Sequence, residues 1–95
     1  MTAHIDPVAA FMPWSGPEDR PLRMRLHRAG TVAVARATRS KHGNARQIFW
    51  LAAQMAQART FARVDVNHLQ DGIAAVSYLF LAANIVERTE LPDVD

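Results

Sequence analysis

The residues that could carry acid–base or metal chemistry are four histidines, spread along the chain as His4, His27, His42 and His68. None has a second histidine four residues away or a glutamate two residues on, the spacings by which short zinc motifs bring ligands together. His68 and Asp71 lie one helical turn apart, which suits a metal pair or an acid–base pair. We interpret His68 instead as an exposed residue of a first helical turn.

Nucleophile and phosphate-binding motifs are also missing from the sequence. The chain has no cysteine, which excludes a disulfide, a thiolate metal site and a cysteine nucleophile. No Gly-x-Ser-x-Gly motif surrounds a serine, and "GNAR" at 43–46 has one glycine and no following Lys-Ser or Lys-Thr. We therefore predict that the protein is not an enzyme, with no catalytic residue, cofactor, metal site or small-molecule substrate.

Charge is divided unevenly along the chain. Residues 20–64 contain ten of the eleven lysines and arginines and no acid, whereas the rest of the chain contains all nine acids and a single base, Arg88. Blocks of opposite sign in a short chain indicate either neutralisation within the chain or an acidic partner for the basic block.

A nucleic-acid surface is the alternative interpretation of the basic block. Its candidate phosphate contacts are Arg25, Arg28, Arg36, Arg39, Lys41 and Arg46. Against this hypothesis, residues 15–48 contain no aromatic side chain that could stack on a base, and no recognition-helix motif is evident. We therefore interpret the basic block as a solvated face or a site for a protein partner, with nucleic-acid binding as the alternative.

Periodic apolar residues indicate the helices that would position these groups. Residues 22–39 read as a helix that could break at Gly30, or as a β-hairpin over 22–36 that turns at "AG". A second helix is expected from a cap at Asn44, with Ile48, Leu51 and Met55 on its apolar side. A third is expected after a cap at Asp65 or Asn67.

These elements predict an all-α bundle of three or four short helices, or an α+β domain if 22–36 forms the hairpin. We divide the chain into an N-terminal arm or linker at 1–21, a helical domain at 22–88 and an acidic tail at 89–95. A short helix is expected from Asp6-Pro7. The bundle is small and rich in alanine, which favours a homo-oligomer or a subunit of a complex.

Two faces of these helices are candidates for contact with a partner. One face of the second helix mixes amides with aromatics: Trp50, Gln54, Gln57 and Phe61. The third helix has one apolar stripe at Leu69, Ile73, Val76, Phe80 and Ala83. A second stripe holds Ala74, Tyr78, Leu81 and Ile85. A helix that is apolar on two faces lies at the centre of a bundle or between subunits.

The segment "GNAR" before an alanine-rich helix, followed by "VDVNHLQDGI", resembles the helical lid of AAA+ ATPases, and a similar helix–loop–helix occurs in histone folds. The N-terminal domain of Clp chaperones has a fainter resemblance. The lid resemblance would make Arg46 a nucleotide-sensing arginine, but the chain has no Walker A or Walker B sequence. The resemblance therefore implies helix–loop–helix geometry and no family.

The sequence thus predicts a small helical adaptor, regulator or inhibitor that acts by protein–protein contact. We expect a cytoplasmic location with no membrane partner. The N-terminus is unlike a secretory signal, because it has an acid and two prolines and no basic start. The apolar run at 73–86 is shorter than the roughly 20 residues that span a bilayer.

Overall fold

Three helices make up most of residues 16–93, the part of the chain that this computed structural model describes. They are α1 (Arg20–Arg39), α2 (Gly43–Thr60) and α3 (Val66–Thr89). No strand occurs among these residues, so the predicted all-α bundle is confirmed and the alternative hairpin at 22–36 is wrong. The short helix expected at Asp6-Pro7 lies outside the described residues.

Helix α1 runs without a break through Gly30, the residue at which the sequence suggested an interruption. Gly30 is buried against α2, where an added Cβ would lie 3.4 Å from the Cβ of Ala56. The glycine therefore contributes to close helix packing, and its backbone forms no turn. The buried face of α1 also contains Leu26, Ala33 and Ala37, which recur at helical spacing.

Helix α2 buries a different face from the one predicted. Leu51 is 46% exposed and Ile48 and Met55 are only partly buried, while the core face consists of Ala45, Phe49, Ala52, Ala53 and Ala56. The prediction followed the large aliphatic residues. Helix α2 packs against both α1 and α3, and small side chains allow its backbone to approach the two neighbouring helices closely.

The helices alternate in direction. Arg23 near the start of α1 reaches the end of α2, so these two helices are antiparallel. Arg36 near the end of α1 reaches Glu87 near the end of α3, so α1 and α3 run the same way. The result is an up-down-up bundle joined by short loops at 40–42 and 61–65.

The predicted caps are only partly right. Asp65 caps α3, since its carboxylate accepts a hydrogen bond of 2.8 Å from the backbone N–H of His68. Asn67 lies inside that helix and is not its cap. Helix α2 begins at Gly43 after His42, and Asn44 within it donates from its side chain to Glu90 at 2.9 Å. Asn44 therefore joins the acidic tail to α2 and is not a cap.

The first apolar stripe of α3 forms its side of the core, as predicted. Leu69, Val76 and Ala83 are buried, and Ile73 and Phe80 are partly buried against the other helices. Phe80 meets Phe49 of α2 edge-on, with ring centroids 5.7 Å apart. This arrangement turns the opposite side of α3 outward.

Candidate protein-contact and basic surfaces

The second apolar stripe of α3 is exposed along its length. Tyr78 is 74% exposed, Leu81 54% and Ile85 44%, and Ala74 is exposed as well. A shallow apolar hollow of about 230 Å³ is lined by Ala74, Ser77, Tyr78 and Leu81. Among the described residues, α3 is therefore not the centre of the bundle, and its outer stripe lies open to solvent. We call Ala74, Tyr78, Leu81 and Ile85 the α3 stripe.

The face of α2 that carries the other candidate contacts is also turned outward. Trp50 is 41% exposed, and Gln54 and Gln57 are exposed. Phe61 follows the helix, is 41% exposed, and meets the His27 ring edge-on at a centroid distance of 6.2 Å. Leu51 belongs to this outer face too. Sequence reasoning missed it, because the apolar character of Leu51 assigned it to the core.

Arg23 is a structural residue of the basic block that sequence reasoning did not single out. It is 1% exposed, and its guanidinium donates to the backbone carbonyls of Arg59, Thr60, Ala62 and Val64 over 2.6–3.3 Å. These are the last carbonyls of α2 and those of the following loop, which lack helical partners. Its Nε contacts Asp19 at 3.3 Å. Arg23 thus fixes the α2–α3 loop to α1.

Arg36 and Arg46, two of the six candidate phosphate contacts, are held within the chain. Arg36 donates to Asn84 and Glu87 of α3, both at 2.7 Å, and its guanidinium carbon lies 4.7 Å from the centre of the Phe49 ring. Arg46 donates to the Ser40 carbonyl at 2.9 Å and to Asp93 at 2.7 Å. The nucleotide-sensing role that the lid resemblance implied for Arg46 has no support in these contacts.

The other four candidates are exposed and lie toward opposite ends of α1. Arg25 and Arg28 border a hollow of about 560 Å³ near the start of the helix, with Pro17, Pro21 and Met24 beside them. Arg39 and Lys41 border a polar hollow of about 510 Å³ past its end. Asp93 also lines that second hollow, so a carboxylate faces any phosphate that enters it.

Basic residues of the window 20–64 form ion pairs with acidic residues from outside that window. The ion pairs found among residues 16–93 are Arg23–Asp19, Arg36–Glu87 and Arg46–Asp93, at 3.3, 2.7 and 2.7 Å. Each pair joins the basic window 20–64 to an acid outside it. Asp93 also accepts a hydrogen bond of 3.0 Å from the N–H of Gly43, at the start of α2. Neutralisation within the chain therefore accounts for part of the charge division.

Two of these carboxylates have lowered pKa values. Burial opposes ionisation of Glu87, but hydrogen bonds from Arg36 and Ser40 and the positive charge of Arg36 outweigh it and lower the pKa. The pKa of Asp93 is lowered by its hydrogen bond from Arg46 and by the N–H of Gly43. Both side chains therefore stay ionised in acid more readily than in the unfolded chain.

The Glu87→Gln variant should lose less stability on acidification than the natural chain. A lowered folded pKa adds stability that is present above the unfolded value of about 4.3 and is lost as pH falls through the folded value. The variant should be less stable at pH 7, and the difference between the two unfolding free energies should shrink as the pH falls from about 4.3 through the lower folded pKa of Glu87. Urea unfolding at several pH values measures this. Parallel curves across the whole range would contradict it.

His68 and Asp71 are both exposed, and His68 uses its backbone N–H in the cap of α3. Within residues 16–93 no group of three histidine or acidic side chains is placed to hold a metal ion. Ser40 and Ser77 donate to Glu87 and to the carbonyl of Ile73, and Ser15 lies outside the described residues.

Helix α3 is the one described helix that is long and apolar enough to cross a membrane. Its most apolar 18 residues have a mean hydropathy of 1.4, and 22% of them are buried. The prediction of no membrane partner rested on the shorter run 73–86, whereas the helix has 24 residues. Core helices of soluble proteins share this length and composition.

Comparison of the chain with protein-family models, curated proteins and solved structures finds no match.

Proposed function

We propose that this protein is a small, non-catalytic adaptor, regulator or inhibitor that acts by protein–protein contact through the α3 stripe. The observation that carries the proposal is that Tyr78, Leu81 and Ile85 are 74%, 54% and 44% exposed along one face of a well-packed helix. Scattered apolar residues on a surface are ordinary, but a continuous stripe of large ones is typical of a contact surface.

The packing of α3 supports this interpretation. Its inner face already meets Phe49, Leu26 and other core residues, so the stripe is not needed to close the core among residues 16–93. Helix α3 is also fixed in place by its Asp65 cap and by Arg36 across the bundle. A rigid helix presents its side chains to a partner at little further entropic cost.

A nucleic-acid-binding module is the second candidate, supported by the exposure of Arg25, Arg28, Arg39 and Lys41. The internal contacts of Arg36 and Arg46 weigh against it, as does Asp93 beside Arg39 and Lys41. Fluorescence anisotropy with labelled DNA and RNA at 50 mM and 300 mM salt tests it. Salt-sensitive binding that Arg25→Ala and Arg28→Ala weaken together would favour this candidate over protein contact.

A photo-crosslinking amino acid in place of Tyr78 should give a discrete protein adduct in the native cells. Two matched substitutions then test whether the adduct forms through the α3 stripe. Leu81→Glu places a charge in the α3 stripe and should abolish the adduct. Val32→Glu introduces the same charge at a residue of similar exposure on α1, outside both candidate contact faces, and should leave the adduct intact.

Adducts are identified by gel mobility and mass spectrometry, and the fold of each variant is checked by circular dichroism. If position 78 gives no protein adduct, or one that persists in folded Leu81→Glu, the α3 stripe is not the contact surface. Crosslinking to lipid alone would replace protein contact with membrane contact.

A further inference from the structure

The α3 stripe continues into a charged residue at each end. Asp71 precedes it and Arg88 follows it, and all six members are exposed: Asp71, Ala74, Tyr78, Leu81, Ile85 and Arg88. Successive members are separated by three, four, three, four and three residues. This is the alternation by which a helix lays a straight seam against another helix in coiled-coil packing. The residues opposite this seam, Val76 and Ala83, are buried in the bundle.

The seam can pair with a second copy of itself that runs in the opposite direction. When a second α3 lies antiparallel and centred on the first, Tyr78 meets Leu81 of the other copy and Ala74 meets Ile85. The same register brings Asp71 opposite Arg88, and two-fold symmetry makes each of these contacts twice. The four apolar contacts are thus enclosed between two pairs of opposite charge.

The parallel arrangement has the opposite electrostatic result. It would place Asp71 beside Asp71 and Arg88 beside Arg88, which is unfavourable at both ends. Arg88 is well suited to an external partner, because the nearby carboxylate of Glu87 is already bonded to Arg36 and Ser40. Charge complementarity therefore favours an antiparallel pair.

Three of the residues that flank the seam are small enough to permit close approach. Ala75, Ser77 and Ala82 border it, and small side chains there let two helix backbones pack at short distance. The hollow of about 230 Å³ beside Tyr78 offers space for the Leu81 side chain of the other copy. A single helix pair buries less area than the roughly 1,600 Å² of a standard interface, so the association should be weak and reversible.

We infer that the partner of the α3 stripe is a second copy of this chain, docked antiparallel with two Asp71–Arg88 ion pairs. This inference rests on the proposed function, since it names the partner of the same surface. It requires only residues that are exposed and positioned by the fold.

Sedimentation velocity of the full chain at 50 mM salt should show a reversible dimer with a dissociation constant of about 10–100 µM. Asp71→Arg and Arg88→Asp should each weaken it at least about fivefold, because each turns two attractive contacts into repulsive ones. The double variant Asp71→Arg/Arg88→Asp restores both pairs in exchanged positions and should recover the natural affinity. High salt should reduce all of these differences.

The orientation has its own test. Gln70→Cys introduces the only cysteine of the chain, at an exposed residue next to the seam. A spin label there should lie about 30 Å from its equivalent in an antiparallel dimer, at a rise of about 1.5 Å per residue. In a parallel dimer the two labels would lie within about 15 Å.

A chain that stays monomeric at 500 µM overturns this inference, as do single charge reversals that leave the dimer unchanged or labels at the parallel distance.

The proposed function fails separately. If the purified chain is monomeric while position 78 still crosslinks to another protein in cells, the surface is a contact site and its partner is a different protein. If Leu81→Glu unfolds the purified monomer, the stripe is covered by the chain itself and both proposals fail.

Discussion

Replacing Arg23 by alanine should destabilise the fold by about 3–5 kcal/mol. The guanidinium bonds to four backbone carbonyls at the end of α2 and in its following loop, and to Asp19. Alanine would remove this shared donor from all four carbonyls. Those of Arg59 and Ala62 would keep a backbone N–H partner, but the one at Thr60 would lose its Arg23 donor in a buried position. A loss of this size is a large share of the roughly 5–10 kcal/mol that stabilise a domain of this length.

The matched control is Arg25→Ala, which removes the same side chain from an exposed position on the same helix. We expect it to change stability by less than about 0.5 kcal/mol. Arg23→Lys should lie between the two variants, since an ammonium keeps the charge but has three donors and no planar fork to reach several carbonyls. Urea unfolding of all three measures the series. A cost below about 1 kcal/mol for Arg23→Ala would mean that water replaces the guanidinium without penalty.

Phe49→Ala should cost about 3–5 kcal/mol, the range for truncating a fully buried aromatic. Phe49 is 0% exposed, meets Phe80 edge-on and lies beneath the guanidinium of Arg36. The substitution therefore opens a cavity and removes the aromatic pair. It also removes the ring on which the Arg36 guanidinium of the Arg36–Glu87 ion pair lies.

Tyr78→Ala is the aromatic control, measured at about 2 µM so that association through α3 does not contribute. Because Tyr78 is 74% exposed, its loss should change the unfolding free energy by less than about 1 kcal/mol. Phe49→Leu should fall between the two, since it retains most of the buried volume. Equal costs for Phe49→Ala and Tyr78→Ala would place Phe49 outside the core.

The local sequence was sufficient to predict the helical character of α2 and α3 and the two faces of α3. The stripe through Leu69, Val76 and Ala83 follows from helical spacing alone, because each residue lies two helical turns after the one before it. Asp65 was also recognisable as one of two possible caps, because a cap depends on the residues immediately after it. The exposure of the α3 stripe was not determined in this way, because a neighbouring helix could have covered it.

The tertiary structure decided which face of α2 is buried. Helical spacing grouped Ile48, Leu51 and Met55, and their size made them the expected core. The fold buries alanines and Phe49 instead, because α2 contacts two helices and the contact at Gly30 and Ala56 brings two backbones close together. No local pattern shows how near a neighbouring helix will lie, so residue size alone misplaced the core.

The roles of the basic residues were likewise decided by tertiary contacts. Arg23, Arg25 and Arg28 belong to one run of sequence and have the same chemistry, yet Arg23 is buried and the other two are exposed. Arg23 meets carbonyls 36 to 41 residues away, and Arg36 meets Glu87 from 51 residues away. Charge composition left open whether the basic block is neutralised within the chain or meets an acidic partner. Which guanidinium became structural depended on where the bundle brought the end of α2 and the end of α3, and these positions are set by the packing of all three helices together.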